Sequence, residues 1–326
     1  MTKIAKHLRH NQQTLASEIT YVGRALHSGE RVSMKLRPAD ADTGIRFIRR
    51  DVTAEESGVP ALWNNVVDSN RCNTLANKHG IRVRTTEHLL AALYVTGVDN
   101  AIVELDGPEI PIMDGSAEPF VLLLRLVGVV SQGKPRRAIL VSRPITVTQG
   151  DRHAILLPSP TPRVTVDIDF PSPVIGRQKL SLPVDEDVFV SELAPARTFG
   201  FAAEVPGLKA SGYAHGASLR NSILVDGPRV VNEEGLRFPD EFVRHKMLDV
   251  IGDLALAGAP IIGHFTAFKP GHHLNLSLLR ELFSERDAWS YVFLNEVQDI
   301  KDAPNLQVVD GPRRRATDRT EHDESS

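Results

Sequence analysis

The chain predicts an α+β protein made of two similar domains. Three observations carry that expectation. Elements of the same kind recur in the same order in each half, short strands first and longer helices after. A break rich in turn formers, Gly133-Lys134-Pro135, lies between the halves. The 326 residues, 41% hydrophobic and 24% charged, suit two ordinary soluble domains. The expected division is a first domain over 15–133 and a second over 134–310, with an insertion at about 202–231. Residues 1–14 are expected to form a flexible extension and 311–326 a disordered, charged tail.

In the first half the pattern reads as a hairpin. Val32 to Leu36 leads through the turn Pro38–Gly44 into Ile45 to Ile48. A strand near Asn73 to Leu75 follows. A helix starts at Thr85 or Thr86 and stops at Gly97. Ala101 to Leu105 alternates as a strand should, and Ser116 to Val130 reads as a helix. Pro111–Ala117 reads as a tight turn capping that helix through Asp114 or Ser116. The second half opens with His153 to Leu157, turns at Pro158–Pro162 and returns through Val164 to Phe170. Lys179 to Pro183, a short helix from about Asp187 and an extended Arg197–Phe201 follow. The glycine-bearing insertion fits a substrate lid or a surface excursion equally well. A long helix from about Pro239 to Ala257, a strand Ile261 to Phe268 and a helix Leu274 to Phe283 complete the copy.

The long helix carries the most informative chemistry. His245 and Asp249 stand four residues apart and so share one face, and Asp253 extends that face by a turn. Met247, Val250, Ile251 and Leu254 point away and anchor the helix in a core. An imidazole and a carboxylate on one rigid face suit a divalent metal, although this spacing is common among solvated helix faces. The best source of a third ligand is Glu87-His88, in the first turn of the corresponding helix of the first half. There the helix dipole favours an ionised Glu87 and a neutral His88. Zn2+ on His88, His245 and Asp249, one per chain, has three protein ligands and one open position, as catalytic sites do. Fe2+ accepts the same ligands. Glu87, beside a ligand without being one, is placed to take a proton from water. His272, in Lys269-Pro-Gly-His-His273, is a candidate cation for a leaving amine, with Asp253 to orient it. Residue chemistry alone does not choose between His272 and His273, which face opposite ways in a strand-like segment. Lys246 lies on the flank of the long helix, suited to a phosphate or simply to solvent. His27 sits in a glycine-bounded loop, and His264 reads as a packed or edge histidine.

Composition excludes several classes. A net charge of -3 gives no global basic field for nucleic acid. One cysteine, Cys72, excludes an internal disulfide framework and a Cys-rich zinc site, and fits a reducing, cytoplasmic setting. Cys72 reads as a small buried residue. No apolar run approaches the roughly 20 residues of a membrane span, and the N-terminus does not read as a secretory signal. The basic triplet Arg313–Arg315 leaves room for peripheral membrane contact.

These segments together resemble a known family, the zinc-dependent UDP-3-O-acyl-N-acetylglucosamine deacetylases of lipid A biosynthesis. The matching stretches are Gly23–Gly29 (GRALHSG), Arg84–Leu89 (RTTEHL), Gly97–Asn100 (GVDN), Pro108–Ala117 (PEIPIMDGSA), Ala196–Phe201 (ARTFGF), Asn232–Asp249 (NEEGLRFPDEFVRHKMLD) and Lys269–His273 (KPGHH). They occur in family order and span about residues 17 to 300. The resemblance implies a cytoplasmic hydrolase that removes the N-acetyl group of a UDP-linked, 3-O-acylated glucosamine, giving the amine and acetate. It implies helices sandwiched between the sheets of the two domains. It implies zinc on His88, His245 and Asp249, Glu87 as general base, His272 as catalytic histidine and Asp253 as its partner. Thr198 matches the residue that hydrogen-bonds the tetrahedral intermediate. Phe199 and Lys246 match substrate contacts, Lys246 near the diphosphate, and the insertion matches a passage for the acyl chain. A monomer is expected. Two other readings use the same residues or the same fold: a zinc hydrolase of another acylated nucleotide sugar, and an RNA-binding α+β protein, against which the acidic balance weighs.

Overall fold

The computed structural model describes residues 9–52 and 57–295. In the first half, β1 (Asn11–Leu15), β2 (Ile19–Arg24), β3 (Arg31–Pro38), β4 (Ile45–Arg49) and β5 (Gly58–Pro60) come first. A small sheet of β6 (Val66–Asp68), β7 (Thr74–Ala76) and β8 (Arg82–Arg84) follows, then α1 (Glu87–Val95), β9 (Ala101–Leu105), α2 (Glu118–Val127) and β10 (Val129–Pro135). The second half opens with β11 (Arg137–Val141), β12 (Ile145–Gln149), β13 (Arg152–Leu157), β14 (Arg163–Asp169) and β15 (Arg177–Pro183). Then come α3 (Glu186–Val188), β16 (Phe199–Phe201), α4 (Val205–Ala210), β17 (Ile223–Asp226), β18 (Arg229–Val230) and α5 (Glu241–Ala255). The described part ends with β19 (Ile261–Ile262), β20 (His264–Phe268), α6 (His272–Ser284) and β21 (Trp289–Phe293).

The two main sheets have one topology, β2-β3-β9-β4-β5 and β12-β13-β20-β14-β15. The central strand is the last to arrive in each, antiparallel to β3 or β13 and parallel to β4 or β14. This corrects the two expected hairpins. The strands flanking Pro38–Gly44 and those flanking Pro158–Pro162 do not pair with each other, because β9 and β20 lie between them. Connections of this length are long enough to step across one intervening strand, about 9.6 Å between the outer two. Alternating apolar residues mark a strand but not its partner.

One continuous apolar core contains Phe47 and Val103 of the first sheet and Leu156 and Phe265 of the second. It also contains Leu89, Leu90, Met247, Val250 and Leu278 of the helices. α1 packs on α5, α5 packs on α6 and on β14 and β15, and α6 covers β12 and β13. Two helices that sequence places far apart therefore share a buried seam, and the seam holds the candidate site.

Other differences from expectation are local. Residues 11–14 are not loose: β1 pairs with β10, and Thr14 Oγ1 donates to the Asn100 carbonyl at 2.7 Å. The glutamines of Asn11–Leu15 carry no apolar alternation to announce a strand. The break at Gly133-Lys134-Pro135 belongs to β10 itself. The helix foreseen to Val130 ends at Val127 because Gly128 turns the chain at φ +75° into β10. α6 begins at His272, two residues earlier than expected, so His272 and His273 are helical rather than strand-like. The tail 311–326 and the end of the second expected domain lie outside the described residues. Among those described, no helix is long and apolar enough to cross a membrane.

Candidate metal centre and catalytic cleft

α1 and α5 bring His88, His245 and Asp249 together. One ligand atom from each lies within 4.8 Å of the others, and all three residues are buried. His88 Nε2 is 3.5 Å and His245 Nε2 is 3.4 Å from Asp249 Oδ1. The approach of the helices depends on a small residue. A Cβ built on Gly252 would lie 2.1 Å from the Glu87 carbonyl oxygen, so only glycine lets α1 descend this far.

His245 and Asp249 are in the right chemical state for a metal. His245 Nδ1 is 3.0 Å from the Ala196 carbonyl, which can only accept, so Nδ1 carries the proton and Nε2 offers its lone pair. Burial pushes the His245 imidazole down to about 3, with Asp249 only partly offsetting it, so the ring is neutral. Burial alone would raise the Asp249 carboxyl. Lys246 and His245 outweigh it and hold Asp249 well below the usual carboxylate range. Lys246 Nζ donates to Asp249 Oδ2 at 2.8 Å, leaving Oδ1 toward the imidazoles. Two imidazole nitrogens and one carboxylate oxygen are a fitting set for a divalent transition metal.

Glu87 and His272 flank this centre. Burial pushes the Glu87 carboxyl up, against the pull of His272 and His88. The helix dipole read from sequence favours ionisation, but desolvation acts against it. His272 Nε2 lies 3.9 Å from Glu87 Oε1, and His272 Nδ1 is 3.0 Å from both oxygens of Asp253. Burial would lower this imidazole, yet Asp253 first, then Glu87 and Asp249, raise it to about 10. His273 instead meets Gln149 at 3.1 Å on the exposed side of the helix. The ambiguity between the two histidines is thus resolved in position, and by helical rather than strand geometry.

The centre opens into a cavity of about 780 Å3 lined by both halves. Thr198, Phe199 and Lys246 all line it. Thr198 is fixed by backbone bonds, donating to Gly115 and accepting from Ile223. Phe199 meets Phe242 edge-on at 5.0 Å, with Lys246 Nζ 5.8 Å from its ring centre. Beneath them Arg197 and Glu241 form a buried ion pair at 3.0 Å that holds the strand to α5. The insertion supplies one wall, including Val205, Leu208 and Tyr213. It is tied to the first half: Tyr213 packs edge-on against His27 at 5.0 Å, and Gly216 N–H donates to the Leu26 carbonyl. Among the described non-glycine residues, Arg71, Thr85, Ala214 and Lys269 combine a left-handed backbone with a place in this cavity wall. Such strain gathers at functional sites.

Sequence reasoning passed over three residues. Gly252 looked like any helical glycine. Asn73 and Asn275 both donate to Asp253, Asn275 at 2.7 Å. Placing His272 on a helix would have exposed Asn275, one turn along the same face. Nothing local marks Asn73. Elsewhere, Asp114 accepts from Ser116 N–H and Oγ, and Ser116 Oγ accepts from Glu118 N–H, which supports the structural reading of that turn. His264 is bonded to Thr165 Oγ1 at 2.8 Å.

Comparison with known proteins points the same way. The family model for UDP-3-O-acyl N-acetylglycosamine deacetylase matches residues 12–284. A UDP-3-O-acyl-N-acetylglucosamine deacetylase of Geotalea uraniireducens (strain Rf4) is 48% identical over 283 residues, 87% of this chain and 92% of the relative. One from Myxococcus xanthus (strain DK1622) is 47% identical, covering 87% and 90%. One from Phenylobacterium zucineum (strain HLK1) is 46% identical, covering 85% and 95%.

Proposed function

The chain belongs to the UDP-3-O-acyl-N-acetylglucosamine deacetylase family, and from that premise we propose how its own residues perform the hydrolysis. The reaction removes the N-acetyl group from a UDP-linked, 3-O-acylated glucosamine, giving acetate and the free amine, a step of lipid A biosynthesis. The single observation that carries the reading is the closeness of His88, His245 and Asp249, within 4.8 Å, at the floor of a cavity also lined by Glu87 and His272.

His88, His245 and Asp249 are the residues that hold the metal, which we take to be Zn2+, one per chain. When bound, zinc supplies Lewis acidity and brings the pKa of a water to roughly 7. Glu87 accepts the proton of the attacking water, and burial, by raising its carboxyl, makes it a stronger base than an exposed glutamate. The hydroxyl of Thr198 donates to the oxyanion that develops from the N-acetyl carbonyl. His272, protonated and oriented by Asp253, gives a proton to the leaving nitrogen. Lys246 faces the diphosphate and Phe199 packs on the substrate. The insertion borders the acyl chain with its apolar wall. The two domains are taken as 15–133 and 134–310. The reading places the chain in the cytoplasm, a setting that its single cysteine suits, and takes it as a monomer.

The test is release of acetate from the UDP-sugar substrate by the purified chain. Release that a chelator abolishes and zinc restores is the expected result. Undiminished release in metal-free protein overturns the metal assignment. Absence of release from the zinc-loaded enzyme overturns the activity.

A further inference from the structure

We propose that Asn73 and Asn275 are positioning residues for the reaction, their side-chain amides clamping the Asp253 carboxylate against His272 while Asn73 ties the same pair to Glu87. The inference rests on the reading of His272 as proton donor given above.

Asp253 is buried in α5 and accepts from three side chains. Asn73 Nδ2 donates to Oδ1 at 2.5 Å, Asn275 Nδ2 donates to Oδ2 at 2.7 Å, and His272 Nδ1 is 3.0 Å from both oxygens. Asn73 and Asn275 each take one oxygen of that carboxylate, and His272 Nδ1 lies between the two. Together the two amides fix the plane of the Asp253 carboxylate, and losing either one frees it to turn away from His272. That plane directs His272 Nδ1, and so aims Nε2 at the reacting centre.

The amide orientation strengthens the case. Asn73 Oδ1 and Asn275 Oδ1 are both buried with no hydrogen-bonding partner among the described residues. A buried unpaired acceptor is costly, and a structure that tolerates two of them beside one carboxylate has a reason for the arrangement. Turning either amide over would set its carbonyl oxygen against the carboxylate. Both side chains thus use their donors on Asp253.

Asn73 does more through its backbone. Its N–H donates to Glu87 Oε2 at 3.2 Å, and its carbonyl accepts from Thr85 N–H at 3.0 Å, where Thr85 has φ +56°. One residue from the loop before β7 therefore meets the proton acceptor of α1 and the orienting carboxylate of α5. The charged groups facing His272 are Glu87 from α1 and Asp249 and Asp253 from α5.

The experiment uses the full, zinc-loaded chain with Asn73→Ala, Asn73→Ser, Asn275→Ala and Asn275→Ser. It reads zinc content, kcat, KM for the UDP-sugar substrate, and kcat/KM against pH. Each alanine variant is expected to keep its zinc, to lose about tenfold in kcat with KM within about twofold, and to move the basic limb down by about one pH unit. Serine, which returns a short donor, recovers part of both effects. The inference is overturned if kcat is unchanged, or if kcat falls with the basic limb unmoved and no recovery by serine. Should variants at residue 73 fail to fold, the Asn275 pair decides alone. His272→Ala separates the two levels. Normal turnover in that variant defeats the proton-donor reading itself, whereas its inactivity beside unaffected asparagine variants defeats this inference only.

Discussion

Gly252 lies under Glu87 so closely that a methyl group there would sit 2.1 Å from the Glu87 carbonyl oxygen. The three candidate ligands meet because these two helices touch at backbone distance: His88 is next to Glu87, and Asp249 precedes Gly252 by three residues. Gly252→Ala must push α1 away or strain α5. Overpacking of a closed core typically costs about 1–3 kcal/mol, occasionally more. The expected outcome is a lower denaturation midpoint together with loss of bound zinc. Unchanged zinc affinity in the folded variant contradicts this account of the seam.

Glu87 and His88 are adjacent but are assigned different tasks, and substitution separates them. His88→Ala is expected to lose tight zinc and activity together. Glu87→Gln keeps the side chain's shape and its bond from Asn73 N–H, so zinc stays while turnover falls by about 10²–10⁴. Zinc by mass spectrometry and acetate release on the same preparations check both. Normal turnover by Glu87→Gln refutes the base assignment.

Cys72 sits one residue before Asn73, at 1% exposure. Burial pushes its thiol up to about 12, and the Glu87 charge adds to the effect. A thiol so protonated is a poor nucleophile. An aromatic disulfide reagent at pH 8 is expected to find no reactive thiol in the folded protein and one per chain in denaturant. Rapid labelling of the native protein contradicts the burial.

Much of the fold was legible because its signals are local. The α5 stripe of Met247, Val250, Ile251 and Leu254 is buried as its period requires. The repeated order of elements foretold the α+β halves. What sequence could not supply was pairing at a distance. The alternation of Ile45–Ile48 marks a strand but does not say that β9 will lie between it and β3. The same limit applies at the site. His245 and Asp249 were visible as a pair because one helix sets their spacing. Asn73 was not visible, because its meeting with Asp253 depends on the packing of a loop against another half of the molecule. His272 was singled out by its motif, yet its helical setting was missed because Pro270-Gly271 looked like a turn leading out of a strand.

The His272–Asp253 pair also makes a prediction for stability. In the metal-free folded protein the imidazole is raised to about 10, against about 6.5 for an unperturbed histidine. Below about pH 6.5 both folded and unfolded chains bind the proton, and the pair's contribution is fully present. Between about 6.5 and 10 the unfolded chain has released that proton while the folded chain keeps it, so the contribution falls as pH rises. Asp253→Asn removes the charge that holds the proton, so the variant is expected to be less stable than the parent at pH 6. The difference between them should shrink by pH 10. Urea midpoints of both metal-free proteins at the two pH values measure it. A difference that stays constant or grows with pH contradicts a protonated His272. A Zn2+ ion held by His88, His245 and Asp249 would add two positive charges near the ring, so titration of His272 by NMR should move to lower pH when the metal is restored.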